Sequence, residues 1–451
     1  MNINNDSGRG KESSKEVTYI LGIDDHDSPE AGCTTHFSAL LIKHLIKDKS
    51  LKILDLPYLI RLNPNIPWKT RGNASIKIIL SAEKNLEELA EIIWSESVDY
   101  VEKISKATKY NRKPGLAIIK RDEYEECKNF LYNFYQKAVK DIVPLDYATR
   151  ISKKCHILTK GDRGIIGSIA AIGYLPIEGF TYELITYRHD ASSFRIVDVN
   201  SVIKFEERNF PKTFNNFDYI KKRLLITPQG KDPILYGVRG NNLSVMLEAL
   251  KEIRSSNNVE LAMIYKSNQG TDAHISNDSK EYYYRTVKKK IKVKDVRILE
   301  GGDVLLSSDK GEIFIFYKET GELNLASKFL INGDEIEIIA TVRPSDKYGK
   351  IFEAERMRVL SLNYHEYTNP KCPKCNRSAT SLGVKKGYKC KKCGYEFNAE
   401  KVTIEIPRFL VKDEYQSRYH RHLTKPVYLE LQTQEDLDLV ELGNILNTLT
   451  S

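Results

Sequence analysis

Two CxxC knuckles, "CPKC" at 372–375 and "CKKC" at 390–393, constrain folding more tightly than any other feature of the chain. With 14 residues between them, Cys372, Cys375, Cys390 and Cys393 are spaced to set four thiolates tetrahedrally around one ion, the pattern of a zinc ribbon. Four protein ligands leave no open position, so the expected Zn2+ is structural and not catalytic. Arg377, Lys385, Lys386, Lys389, Lys391 and Lys392 surround the knuckles, which suits a nucleic-acid ligand. Tyr388 and Tyr395 are candidates for stacking on bases, or for shielding the metal. Cys33, Cys127 and Cys155 are scattered, which fits a metal protein in a reducing, cytoplasmic compartment better than a disulfide framework.

The 451 residues are enough for two to four domains. Lysine and arginine number 70 against 61 acids, a net charge of +9, which suits a polyanionic partner or merely a charged soluble surface. The polar first sixteen residues lack the apolar centre of a signal peptide, and no later run is long enough to span a bilayer. Strands and helices alternate up to about residue 280. Beyond it, five strand-like runs separated by turn signals have the rhythm of a small OB-type barrel. A lysine cluster (Lys288, Lys289, Lys290, Lys292, Lys294) opens that stretch.

Chemistry concentrates at "GIDDHDSPEAGCTT", residues 22–35, after the strand-like "VTYIL". Carboxylates at a strand's C-terminal end, here Asp24, Asp25 and Asp27, suit a hard divalent cation, and a helix N-terminus just beyond suits phosphate oxygens. Mg2+ with a nucleotide fits both. The structural alternative is an Asp-rich turn that caps the next helix, with Thr34 or Thr35 as N-cap. The loop "RLNPNIPWKTRGN" adds Arg61, Asn63, Lys69, Arg71, Gly72 and Asn73, a set suited to phosphates, although it is no Walker A loop. In "KGDRGIIG", Arg163 and its glycines serve a phosphate or close helix packing equally well. "YGVRGNN" and "NQGTDAH" are loops after strands, where Asp272 or Glu183 is a candidate partner for a cation or an ordinary solvated acid.

Taken in order, "GIDDHDSPEAGCTT", "RLNPNIPWKTRGN", "RGIIGSIAAIG", "TYELITYR", "YGVRG", "NQGTDAH" and the two knuckles resemble the archaeal isoleucine tRNA agmatinylcytidine synthetase family over residues 18 to about 425. The resemblance implies a multidomain α+β chain. After a polar leader (1–16) come an α/β kinase-like domain using ATP (17–155), a ferredoxin-like α+β domain holding agmatine (156–280), an OB-fold β-barrel (281–366), a zinc ribbon (367–400) and a basic extension (401–451). It also implies a reaction in which the wobble cytidine of an isoleucine tRNA is activated by phosphorylation and conjugated to agmatine, so that the anticodon reads AUA. Asp24, Asp25 and Asp27 then match the catalytic and metal-binding acids, and Thr34 a threonine that becomes phosphorylated. Arg61, Asn63, Lys69, Thr70, Arg71, Gly72 and Asn73 fall in the nucleotide-proximal loop, joined by Arg163. Tyr236, Gly237, Arg239, Thr271 and Asp272 fall in the agmatine loops, though Arg239 suits phosphate better than a guanidinium. His26 stands where a threonine is usual, and Arg418, Arg421 and Lys425 form a candidate tRNA-contacting tail. Neither a membrane nor DNA is an expected partner. The competing reading is a non-enzymatic OB and zinc-ribbon RNA-binding protein with a nucleotide- or polyamine-sensing N-terminal half.

Overall fold

The computed structural model describes residues 16–410, 413–418, 421–434 and 437–451, so the polar leader lies, but for its last residue, outside them. Two compact units are present, Met1–Ile275 with His420–Ser451, and Ser276–Tyr419. No helix among the described residues is long and apolar enough to cross a membrane.

The first unit begins with β1 (Val17–Asp24), α1 (Thr34–Leu45), β2 (Leu51–Ile53), β3 (Tyr58–Arg61), β4 (Ala74–Ala82) and α2 (Leu86–Asp99). It continues through β5 (Gly115–Lys120), α3 (Arg121–Lys140), α4 (Leu145–Lys154), β6 (Leu158–Gly161), α5 (Ile165–Gly173) and β7 (Thr181–Arg188). Then follow α6 (Val199–Asn209), the short β8 (Thr213–Phe214), β9 (Phe217–Asp218) and β10 (Arg223–Leu224), and finally β11 (Ile234–Gly240), α7 (Leu243–Glu252), β12 (Val259–Ser267) and β13 (Ile275–Ser276). One sheet runs through the unit in the order β6-β5-β1-β4-β3-β12-β7-β11-β8, with β2 on β4.

Its strands are buried along most of their length, the mark of a sheet covered on both faces. In β1, Tyr19, Leu21 and Ile23 join α1 and α2 in one core, while Ile20 faces α3, α4 and α5 in the other. Every pairing in this sheet is antiparallel except β12 with β3, so the first half is α+β, and not the α/β that the resemblance implies for residues 17–155. β11, α7 and β12 form a crossover whose two strands flank β7. Gly22 sits where a Cβ would lie 2.0 Å from the Ser168 carbonyl oxygen, so α5 rests directly on β1. The scattered cysteines are a correction: Cys127 on α3 and Cys155 after α4 are joined by a disulfide. It is a single staple inside one core, not a framework.

The second unit holds a closed five-stranded barrel. β14 (Thr286–Ile298), β15 (Val304–Ser308), β16 (Ile313–Phe316), β17 (Glu335–Ser345) and β18 (Gly349–Ser361) pair as β14-β15-β16-β18-β17, and β17 returns to β14. Ile291, Val293, Phe314, Phe352 and Met357 fill it. Lys288, Lys290, Lys292 and Lys294 form the outer row of β14, while Lys289 alternates to the other face, over the Phe352 ring. Lys288 pairs with Glu337 at 2.9 Å on the neighbouring β17, a cross-strand pairing of opposite charges, and Lys289 binds Glu281 and Glu312 in segments outside the strands. α8 (Glu322–Ser327) lies between β16 and β17 in sequence, and α9 (Leu439–Thr450) belongs to the first unit, where Leu442, Ile445, Leu446 and Leu449 enter its core.

Candidate active site and zinc ribbon

A cavity of about 880 Å³ opens in the first unit at the C-terminal end of β1. Asp24, Asp25, Asp27 and Thr34 line it. None of the three acids caps α1. The N-cap is Cys33, in extended conformation with no side-chain cap bond, and Thr34 and Thr35 are the first helical residues, contrary to the N-cap reading. Thr34 Oγ1 accepts the His26 N–H at 3.3 Å. His26 is a core residue: it stacks on Phe37 with ring centroids 4.2 Å apart, and burial brings its pKa down to about 3.

The acid turn depends on a left-handed residue, Asp25 at φ 62. Asp24 Oδ1 accepts the Asp25 N–H at 2.8 Å, and Asp25 Oδ2 accepts the Lys113 N–H at 2.8 Å. Burial, with Asp25 beside it, pushes the Asp24 carboxyl well above its ordinary value. Burial raises Asp25 too, and it lifts Asp27 to about 6 although Arg71 opposes it. All three carboxylates face the cavity, Asp25 and Asp27 each with an arginine beside it; among the described residues only the four knuckle cysteines already gather as a metal-holding group, so these acids would have to close on a hard cation when it arrives.

Basic groups face these acids. Lys69, Thr70, Arg71, Gly72 and Asn73 line the cavity, with Arg61 beneath them. Arg71 donates to Asp27 Oδ2 at 3.3 Å and to the carbonyls of Ser28 and Gly32 at 2.5 and 3.1 Å. Thr70 Oγ1 is buried without a hydrogen-bond partner. Gly72 has no room for a Cβ, which would lie 2.5 Å from Arg61 Nη1. Asn63 stands behind the wall and shapes the loop: its Nδ2 donates to the Lys140 carbonyl at 3.1 Å, and its own carbonyl receives Asn73 Nδ2 at 2.8 Å. Arg163 lines the cavity, 3.6 Å from Asp25. The glycines beside it serve packing, because a Cβ on Gly164 would lie 2.4 Å from the Gly115 nitrogen and one on Gly167 only 1.9 Å from Asp24 Oδ2.

Across the cavity, Gly237 and Arg239 line the wall from β11. Glu183 is 2% exposed and fully engaged: Arg239 Nε reaches Oε1 at 3.1 Å, Arg61 Nη2 reaches Oε2 at 3.1 Å, and Gln269 donates to Oε2 as well. Burial alone would raise its pKa, but the two guanidinium groups bring it below the ordinary value. Tyr236, Thr271 and Asp272 do not reach the cavity. Tyr236 is core, Thr271 Oγ1 donates to the Asn268 carbonyl at 2.7 Å, and Asp272 Oδ1 accepts the Lys425 N–H at 2.7 Å. Their loop clamps the returning C-terminal segment, since Gly270 and Asp272 also donate to the carbonyls of His422 and Leu423 at 2.9 and 2.8 Å. That clamp brings in a residue sequence reasoning missed: His422 lines the cavity and bonds Gln269 Oε1 at 3.1 Å across 153 residues. Asp232, a buried acid of the wall, was missed as well.

In the second unit, the four knuckle thiols lie within 4.8 Å of one another, with Cys375 3.4 Å from Cys390 and Cys372 3.6 Å from Cys393. Tetrahedral Zn–S bonds of about 2.3 Å place sulfurs roughly 3.8 Å apart, so the thiols fit the ion. Backbone N–H groups of Lys392 and Cys393 point at Cys390 Sγ, at 3.3 and 3.5 Å. Tyr388 is buried against the ribbon while Tyr395 is partly exposed beneath Lys374. The six basic residues around the knuckles are all exposed.

Residues 20–160 match the family description "TiaS TCKD domain", 162–274 "TiaS FLD domain", and 369–410 "TiaS C-terminal zinc ribbon domain". Among curated proteins, the chain is 49% identical to the isoleucine tRNA 2-agmatinylcytidine synthetase TiaS of Saccharolobus islandicus, over 92% of this chain and 94% of that one. It is 36% identical to that of Methanocaldococcus jannaschii, over 92% and 99%. Two solved complexes share its architecture: TiaS with its isoleucine tRNA and ATP (TM-score 0.79, 26% identity, 93% and 99% covered), and TiaS with that tRNA, AMPCPP and agmatine (0.75, 26%, 91% and 97%). With these matches spread along its length and its acid cluster and ribbon intact, the chain belongs to the TiaS family.

Proposed function

We propose that this protein is an ATP-dependent isoleucine tRNA agmatinylcytidine synthetase. It activates the wobble cytidine by phosphorylation and joins agmatine to it. The observation that carries this reading is the meeting of Asp24, Asp25 and Asp27 with Arg61, Lys69, Arg71 and Arg163 around one cavity, in a chain that a TiaS relative matches over 92% of its length. An RNA-binding module has no use for buried acids with raised pKa values opposite a cationic loop.

Asp24, Asp25 and Asp27 are the residues to hold Mg2+, which when bound supplies charge neutralisation for phosphoryl transfer. Lys69, Arg71 and Arg163 grip phosphate oxygens as point charge and forks. Arg61, tied to Glu183, fixes the floor of the loop. The Thr34 hydroxyl, on the cavity wall beside the acids, is the position for a transient phosphoryl group. Agmatine occupies the side walled by Gly237. Tyr236, Thr271 and Asp272 act from behind, by holding the strand and the clamp. The Cys372, Cys375, Cys390 and Cys393 site holds Zn2+ and stiffens a basic surface that, with the barrel and the Arg418, Arg421 and Lys425 segment, receives the tRNA. The division follows the family order: kinase-like (17–155), ferredoxin-like (156–280), OB (281–366) and ribbon (367–400) segments. The target base leaves its stack to reach the cavity, because stacking hides the ring atom concerned.

The test is incorporation of labelled agmatine into the unmodified isoleucine tRNA by zinc-loaded protein with Mg2+ and ATP, read by mass spectrometry of the wobble nucleoside. Agmatinylcytidine is the expected product, and an unchanged cytidine refutes the reading.

A further inference from the structure

We infer that Asp232 selects the amine substrate by its cationic tail, an inference that rests on the agmatine-conjugating activity proposed above. Asp232 is 1% exposed and lies two residues before β11, in the cavity wall. One of its oxygens is engaged: Oδ1 accepts Arg195 Nη2 at 3.0 Å and the Ile234 N–H at 3.1 Å. The other is not. Oδ2 is buried with no hydrogen bond, and Arg71 Nε stands 3.8 Å away, too far to donate.

A buried carboxylate oxygen left without a donor is costly, and such an oxygen beside a ligand cavity marks a place where the ligand supplies the donor. The surroundings specify which donor. Leu225, Ile226, Pro228 and Ile234 make this part of the wall apolar, a track for methylene groups. Space next to the oxygen is kept by Gly230, where a Cβ would lie 3.0 Å from Oδ2. A short alkyl chain ending in a guanidinium or ammonium group satisfies both features. Of the other lining acids, Asp162 is exposed and Asp141 half-buried, so neither presents a buried open oxygen. Glu183 already binds two arginines and a glutamine, and Asp24, Asp25 and Asp27 stand at the phosphate end. Arg71 touches Asp27 and faces Asp232 with the same guanidinium; when it turns to phosphate, both acids lose its charge. Nucleotide arrival therefore strengthens the attraction of Asp232 for an external cation.

The test compares agmatine with n-pentylamine, an amine of similar length without the terminal charge, using full-length zinc-loaded protein, ATP and the isoleucine tRNA. Wild-type protein is expected to favour agmatine strongly. Asp232→Asn should raise the KM for agmatine on the order of 10- to 100-fold with a smaller change in kcat, and the kcat/KM preference over pentylamine should collapse. Asp232→Glu should restore part of it. Because Asp232 also holds Arg195, Gly230→Ala provides a second arm that crowds Oδ2 and leaves those bonds in place; it should raise the same KM. Calorimetric titration with agmatine alone, without tRNA, reads the same loss directly. A KM for agmatine within twofold of wild type in both folded variants overturns the assignment while agmatine transfer by wild type stands. Absence of any transfer by wild type instead overturns the activity, and the inference with it.

Discussion

Replacing Glu183 by glutamine removes one negative charge from a place where two arginines depend on it. Both contacts are 3.1 Å long, and the side chains of Arg61 and Arg239 are only 11% and 15% exposed against 3% for Glu183. Shape is conserved, so the cost is electrostatic: a glutamine oxygen accepts from one guanidinium and its amide nitrogen repels the other. Breaking a buried pair costs about 3 to 5 kcal/mol. Because Glu183, Arg61 and Arg239 all line the cavity, the lower end applies, about 3 kcal/mol. For a unit of this size each kcal/mol lowers the midpoint by roughly 2–4 °C, so the first unit should melt about 6–12 °C lower. Scanning calorimetry is the assay, because a chain of two units need not melt in one transition. The loss should also vanish on acidification. Glu183 is held below its ordinary pKa, so its contribution is present above the unfolded carboxylate value and disappears as pH falls through the folded one. A Glu183→Gln midpoint within 2 °C of wild type at pH 7 would refute the claim that this carboxylate compensates both arginines.

Gly22→Ala drives a Cβ against the backbone of α5 and should destabilise the first unit by about 1–3 kcal/mol or more in urea titration. Gly167→Ala meets the movable carboxylate of Asp24 instead, so agmatine transfer should fall by a larger factor than stability does; equal losses would contradict the placement. Asp27 carries the opposite pH sign to Glu183: its folded pKa is raised to about 6, so its contribution is present below the unfolded value near 4 and is lost as pH rises through about 6. Asp27→Asn should therefore become more stable relative to wild type over that interval in metal-free buffer, and a stability difference that does not move with pH would count against the shift. Chelation of zinc should abolish the ribbon's fold and weaken tRNA binding in a filter assay, with the first unit's melting transition unmoved.

What was readable in the sequence was what is local. The knuckles declare themselves by spacing, and the barrel by alternation and turns. The aspartate turn stands out because acids follow an apolar run. Strand direction was not readable: a strand buried on both faces shows the same continuous apolar run whether its neighbours are parallel or antiparallel, and β1 reads "VTYILGID" either way. Nor does "NQGTDAH" reveal that it clamps a segment over 150 residues downstream, so a loop read as an agmatine contact proves to hold His422 in place. Cys127 and Cys155 are joined by the packing of α3 and α4, which no spacing rule encodes. The glycines of "KGDRGIIG" have two equal readings, and the mutual approach of Gly115 and Gly164 decides for packing.

The cavity sorts its carboxylates by counter-charge. Glu183, between two guanidinium groups, is held below its ordinary pKa despite near-complete burial and already accepts from two arginines and a glutamine. Burial pushes Asp24, with Asp25 beside it, and Asp27, against the opposition of Arg71, toward the neutral form, a state that an arriving cation reverses with release of protons. Asp232 has one oxygen satisfied and one without a hydrogen bond. Under the proposed function, these acids divide into scaffold, metal and organic-cation tasks by which of their oxygens the neighbouring donors leave open. Of the cavity arginines, Arg71 alone stands within 4 Å of acids from two of these classes, Asp27 and Asp232. Its movement toward a phosphate would alter the metal end and the amine end together.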